Sequence, residues 1–265
     1  MPSVFEKEKT TGRFGAQEQS FSGLFYFFGG VRISSFSQAF GEALRMLVSL
    51  DSELYGVIGL SLRVTLTALV LAALVGIPLG VILALKKFPG RPLVMNVINS
   101  LMSVPPVVVG LVVYILLSNQ TGLVGDHRLL FTPTAMIIAQ FLLALPLMMG
   151  LTSTAILSVD KLVRLTARSL GATPFQVAMK VVGEARFGIY SAMIVVFGRL
   201  LSEVGAVMMV GGNIRYMTRV MTTAIALQKG MGEFQTALAL GIILLLMAFL
   251  VNGILEMLRN YGRAS

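Results

Sequence analysis

Arg199 and Glu203 are the two charged residues whose setting most needs an explanation. They stand four apart in the otherwise uncharged stretch 187–212, a spacing that puts both side chains on one face of a helix. Charges inside an apolar run face a bundle interior or a transport pathway. The pair, with Ser202 and Gly205 beside it, either gates such a pathway or fixes the packing of the bundle. Gly211, Gly212 and Asn213 follow, just before Arg215 and Arg219. Successive N–H groups there can form a small anion-binding nest, while glycine and asparagine also simply end helices.

Catalytic chemistry finds little to work with. The chain has no cysteine, and its single histidine, His127, lies beside Asp126 with no nucleophile motif and no companion metal ligands. No glycine loop closes on Lys-Ser or Lys-Thr, so the chain shows no phosphate-cradling motif of its own. No catalytic or metal-binding residue is assigned, and the chain is not expected to be an enzyme.

The elements that must position these residues are written in the composition. Apolar residues make up 56% of the 265 positions and charged ones 12%, too few polar side chains to clothe a water-soluble globule. The net charge of +9 is spread through short gaps between apolar runs, which points to membrane topology and away from nucleic acid. Stretches 64–85, 93–117, 131–159 and 234–255 are charge-free or nearly so and long enough to cross the bilayer, and 187–212 is a fifth. Backbone groups in lipid must be satisfied within the segment. The expected fold is therefore an all-α integral membrane protein, a five-span helical bundle.

Residues 1–56 read as an N-terminal extension. The apolar patch 21–31 is too short to span, and residues 37–50 carry Phe40, Ala43, Leu44 and Leu47 at the spacing of an interfacial helix. Residues 57–260 form the membrane domain and 261–265 a short tail. Lys86, Lys87, Arg91, Lys161, Arg164, Arg168, Lys180, Arg186, Arg259 and Arg263 fall on one side, against Arg128, Arg215, Arg219 and Lys229 on the other. The richer side is expected to be cytoplasmic, with the N-terminus outside and the C-terminus inside. Pro105, Pro106 and Pro146 interrupt spans, either to line a cavity or as packing kinks. The spacing of Gly76 and Gly80 permits close helix approach. A single unit of this size is small for a pore, so a homodimer is expected.

The gap 160–186 is patterned as two helices around a turn. Gly171 can end the first in the left-handed conformation, Thr173 can cap the second and Pro174 fits its first turn. Leu170, Phe175 and Met179 are its apolar knobs.

Here a resemblance becomes specific. The run Ala167-Arg168-Ser169-Leu170-Gly171-Ala172-Thr173-Pro174-Phe175 resembles the "EAA" loop of binding-protein-dependent ABC importer permeases. It departs from that pattern at Leu165, where the family has Glu, and at Gly183-Glu184, where it has Leu-Pro. The similarity extends over about residues 54–260, and the run from Gly198 to Ile214, followed by Thr218 to Ile225, resembles the oxyanion branch, closest to its tungstate-type permeases. The resemblance implies a type I importer fold whose cytoplasmic coupling helix-turn-helix, through Ala167, Arg168, Ser169, Leu170, Gly171, Ala172, Pro174 and Phe175, docks on ATPase subunits. It also implies ATP and Mg bound on those partners only, an extracytoplasmic solute-binding protein, a cell-membrane location and an oxyanion cargo: tungstate, or alternatively molybdate or sulfate. A carrier driven by an ion gradient, with Arg199 and Glu203 as coupling charges, is the rival expectation.

Overall fold

A computed structural model describes residues 33–49, 51–86, 88–118 and 129–264. The short apolar patch at 21–31 and His127 lie outside those residues. Among the described residues the elements are helices: α1 (Ile33–Val48), α2 (Ser52–Leu85), α3 (Arg91–Met102), α4 (Pro106–Leu117), α5 (Pro133–Leu157), α6 (Lys161–Ser169), α7 (Pro174–Leu201), α8 (Gly205–Gly211), α9 (Met221–Gly230) and α10 (Phe234–Ala264).

Helices α2, α5, α7 and α10 are each long and apolar enough to cross a membrane alone. The α3 and α4 pair passes the same test together, but it is bent by 96°. The bend falls where Pro105 and Pro106 deny the chain two backbone donors, as their place in the sequence suggests. Pro146, by contrast, is carried inside α5 without ending it. The stretch 187–212 is not one rod either. Helix α7 begins far earlier, at Pro174, and stops at Leu201; α8 starts after a break of three residues, at Gly205.

Alanines line several helix contacts, and many large apolar side chains face outward, as expected where lipid is the solvent. Ala68, Ala72, Ala139 and Ala144 are fully buried, whereas Leu74, Phe249 and Leu250 are about two-thirds exposed. The backbone of the bundle is α2 against α5, with α7 packed on both. A Cβ at Gly76 would stand 2.8 Å from the Met148 Cβ, and one at Gly80 would stand 2.7 Å from the Met149 carbonyl oxygen. The two glycines therefore set the α2–α5 separation.

Helix α1 docks on α10 through Ala39 and Ala43 and leaves Phe40, Leu44 and Val48 exposed. The Tyr55 hydroxyl donates to the Leu47 carbonyl at 2.9 Å, which folds α1 back over the start of α2.

Candidate coupling and pathway sites

The first site is the turn between α6 and α7. Asp160 caps α6, its Oδ1 accepting from the Leu162 N–H at 2.9 Å. At the other end Gly171 has φ +80°, and the Ala172 and Gly171 N–H groups donate to the Ala167 and Arg168 carbonyls, each at 3.0 Å. That is the paired 6→1 and 5→2 bonding that closes a helix on a left-handed residue. Thr173 then opens α7 with a reciprocal cap: its N–H donates to Gln176 Oε1 at 2.8 Å, and its hydroxyl accepts from the Gln176 N–H. Pro174 occupies the first helical position, where its missing donor costs nothing.

None of the side chains of α6 is buried. Val163 and Ala167 lean against the bundle, while Leu162 and Leu165 point away from it, 64% and 58% exposed. Leu170 at the tip is 82% exposed and Phe175, just past it, 74%. Arg168 is exposed too, and Ser169 turns its hydroxyl inward to the Leu165 carbonyl at 3.0 Å. The hairpin thus ends in a cluster of exposed apolar side chains, the kind of surface that marks an interaction site.

The second site lies deep in the bundle, where two broken helices meet. Glu203 is almost wholly buried, and its carboxylate bridges the break. Oε2 accepts from Arg199 at 2.8 Å, Oε1 accepts from the Ala206 N–H at 3.2 Å, and the Glu203 carbonyl accepts from the Thr222 hydroxyl at 2.9 Å. Arg199 keeps 45% of its side chain exposed. Glu203 thus serves as the cap of α8 as well as the partner of Arg199. Ser202 is exposed and bonds back to the Gly198 and Arg199 carbonyls.

Helix α4, the second half of the bent pair, lies directly on α8. A Cβ at Gly205 would stand 2.6 Å from Val107 Cγ2. Ser61 and Gln140, buried on α2 and α5, complete the joint: Ser61 Oγ accepts from the Met221 N–H at 2.9 Å, and Gln140 Nε2 donates to the Leu200 carbonyl at 3.3 Å. Sequence inspection singles out neither residue, because a lone Ser or Gln in an apolar run carries no spacing signal.

At the far end of α8 the chain turns through Gly212 and Asn213, with φ +68° and +53°. Two of the backbone donors at this turn are engaged within the protein. The Gly212 N–H goes to the Met208 carbonyl, and the Ile214 N–H goes to Thr218 Oγ1 at 3.0 Å. Thr218 in turn donates to the Gly211 carbonyl. Hydrogen bonds therefore brace the turn at both of its ends.

Arg215 and Arg219 are likewise engaged, by a residue not anticipated from the sequence. Glu53 in the first turn of α2 accepts from Arg215 Nε at 2.9 Å and lies 3.3 Å from Arg219 NH1. The bond to Glu53 raises the Arg215 pKa above its ordinary value. The partners are 162 residues apart in the chain, too far for any local pattern. No group of three or more His, Cys, Asp or Glu side chains among the described residues could hold a metal ion.

The model for binding-protein-dependent transport system inner membrane components matches residues 76–260. A tungstate uptake system permease protein, TupB, from Peptoclostridium acidaminophilum is 43% identical over 84% of this chain and 98% of its own length. A probable anion ABC transporter permease from Haloferax volcanii is 41% identical over 76% of this chain and 88% of its own. Among solved structures, a bacterial alginate ABC transporter superposes with a TM-score of 0.66 at 20% identity, over 98% of both chains. The MetNI methionine ABC transporter gives 0.65 at 19%, over 81% of this chain and 98% of that one. At such identities the structures establish the fold, and the sequence matches establish the relationship. The chain belongs to the family of binding-protein-dependent transport system inner membrane components, and it is the membrane-spanning permease of an ABC importer.

Proposed function

We propose that this permease imports an oxyanion, tungstate first, delivered by an extracytoplasmic binding protein and driven by ATPase subunits that grip the α6–α7 turn. The observation that carries the cargo is the 43% identity to the tungstate permease over nearly that protein's whole length. More distant relatives are named as sulfate and as molybdate/tungstate permeases, so those anions stand as the alternatives. ATP and Mg bind on the partner chains.

The reading places the α6–α7 turn on the cytoplasmic side, together with the basic gaps around Lys86, Arg91 and the C-terminus. The N-terminal side of α2, with Glu53, Arg215 and Arg219, then faces outward. Two copies of the chain form the pathway, and the exposed apolar side chains of α4, Val107, Val108, Leu111 and Val112, supply surface for the second copy. Closure of the ATPases moves the α6–α7 hairpin. Because α7 runs without interruption from Pro174 to Leu201, that motion is delivered directly to Arg199 and Glu203. Their junction with Ser202 and Gly205 acts as the hinge of the gate, and the turn of Gly211, Gly212 and Asn213 aims Arg215 and Arg219 at the outer mouth. In an ion-gradient carrier Arg199 and Glu203 would bind the coupling ion; here each is occupied by the other.

The experiment is uptake by proteoliposomes that hold the permease, its ATPase and its binding protein. ATP-dependent accumulation of tungstate, with molybdate or sulfate taken up more weakly, is the expected result. Failure to accumulate any of the three would reject the assignment of cargo.

A further inference from the structure

Between the last turns of α2 and the first turns of α7 lies a partly open cleft of about 620 Å³. Ile77, Val81, Ile82 and Leu85 form one wall, and Ala178 and Met179 belong to the other. Three cations, Lys86, Arg164 and Arg168, line it as well, and no acidic residue does. Lys86 and Arg168 are exposed and form no ion pair among the described residues. Arg164 gives one NH2 bond to the Ile156 carbonyl at 3.0 Å, while its Nε is buried without a partner. The acids of the same hairpin are committed elsewhere: Asp160 caps α6, and Glu184 holds Lys180 at 2.9 Å.

The cleft's apolar wall is the end of a charge-free membrane run, and its cations begin where that run stops, at Lys86. An apolar cleft at this depth is filled by hydrocarbon, and cations at its mouth select a negative head group. We infer that the cleft is a specific site for one anionic phospholipid, its acyl chain along Ile77–Leu85 and its phosphate at Lys86 and Arg164. The α6–α7 hairpin would then rest against lipid on this flank, and lipid charge would help to hold the angle of the turn against α2. The inference is independent of which anion the importer carries.

The test is native mass spectrometry of the delipidated full-length permease, titrated with phosphatidylglycerol or phosphatidylcholine bearing the same acyl chains. Phosphatidylglycerol should bind more tightly, and Lys86→Gln should weaken it about fivefold, the effect of one cation at a membrane surface. Ala178→Trp, which fills the cleft, should remove the tightly bound lipid. Equal binding of the two lipids, or unchanged phosphatidylglycerol binding in Lys86→Gln, would overturn the inference. A phosphatidylglycerol with a photoreactive acyl chain needs no variant: on the wild-type protein it should label residues 77–86 and 174–182. Labelling elsewhere, or labelling abolished when the ATPase assembles, would assign the cleft to another occupant and end the proposal.

Discussion

Gly110 of α4 faces Ala206 of α8 so closely that a Cβ at residue 110 would stand 2.7 Å from the Ala206 Cα. Two half-helices, each begun at a break within the membrane, are thereby locked backbone to backbone at the depth where the Glu203 junction sits. The close contact explains why a bent α3–α4 pair is tolerated: what α4 loses in continuity it regains by packing on α8 and α5.

Gly110→Val should therefore separate α4 from α8. Neither backbone can yield locally, so the overpacking should cost about 1–3 kcal/mol. The expected outcome is a lower melting temperature of the purified permease together with loss of transport. Gly241, around which a Cβ would meet nothing within 4 Å, is the control: Gly241→Ala should leave both unchanged.

The Arg199–Glu203 pair should respond asymmetrically to mutation. Glu203 is 4% exposed and Arg199 45%, so removing the arginine strands a carboxylate inside the bundle, whereas removing the carboxylate leaves a guanidinium that is only half enclosed by the chain. Arg199→Met is expected to destabilise by about 2 kcal/mol more than Glu203→Gln, a figure reduced from that of a fully buried pair because Arg199 is half exposed. The double variant should recover most of that difference. Thermal melts of the three proteins in one detergent decide it, and equal single-variant losses would contradict the asymmetry.

The local elements were legible in the sequence because their causes are local. The hydropathy runs mark the long helices, and the Gly171, Thr173 and Pro174 signals place the α6–α7 turn where the hydrogen bonds put it. What the sequence hid is everything settled by distant partners. Stretch 187–212 is apolar apart from Arg199 and Glu203, yet the helix stops at Leu201, where Glu203 bonds to the Ala206 N–H and the Thr222 hydroxyl instead. Likewise the Gly211–Asn213 turn is braced by Thr218, a residue beyond it that takes the Ile214 donor. Glu53 gave no signal at all, since a carboxylate in a first turn is usual at any helix N-terminus.

Gly171 isolates backbone geometry from packing. Its φ is +80° and a Cβ there would meet nothing within 4 Å, so a substitution acts only through the left-handed conformation. Gly171→Val should cost about 1–2 kcal/mol at the turn, enough to redirect the hairpin while the spans stay folded. Gly171→Asn, which accepts that conformation more readily, should be close to wild type. ATP-dependent uptake and the melting temperature together test this: uptake lost in Gly171→Val with the melt little changed, and both retained in Gly171→Asn. Wild-type uptake in Gly171→Val would show that the turn does not transmit motion.

The exposed tip separates stability from assembly. Leu170 is 82% exposed, so Leu170→Asp removes almost no buried surface and should shift the stability of the isolated permease by no more than about 0.5 kcal/mol. If the tip is seated in a groove of an ATPase, the same change buries an unpaired carboxylate in that interface and should cost several kcal/mol of association. The affinity-tagged wild-type permease should then retain ATPase through detergent purification, and Leu170→Asp should lose it while keeping its elution volume and melting temperature. Retention of the ATPase by Leu170→Asp would move the docking surface away from the tip and onto the flanks of α6, where Leu162 and Leu165 are the remaining exposed apolar side chains.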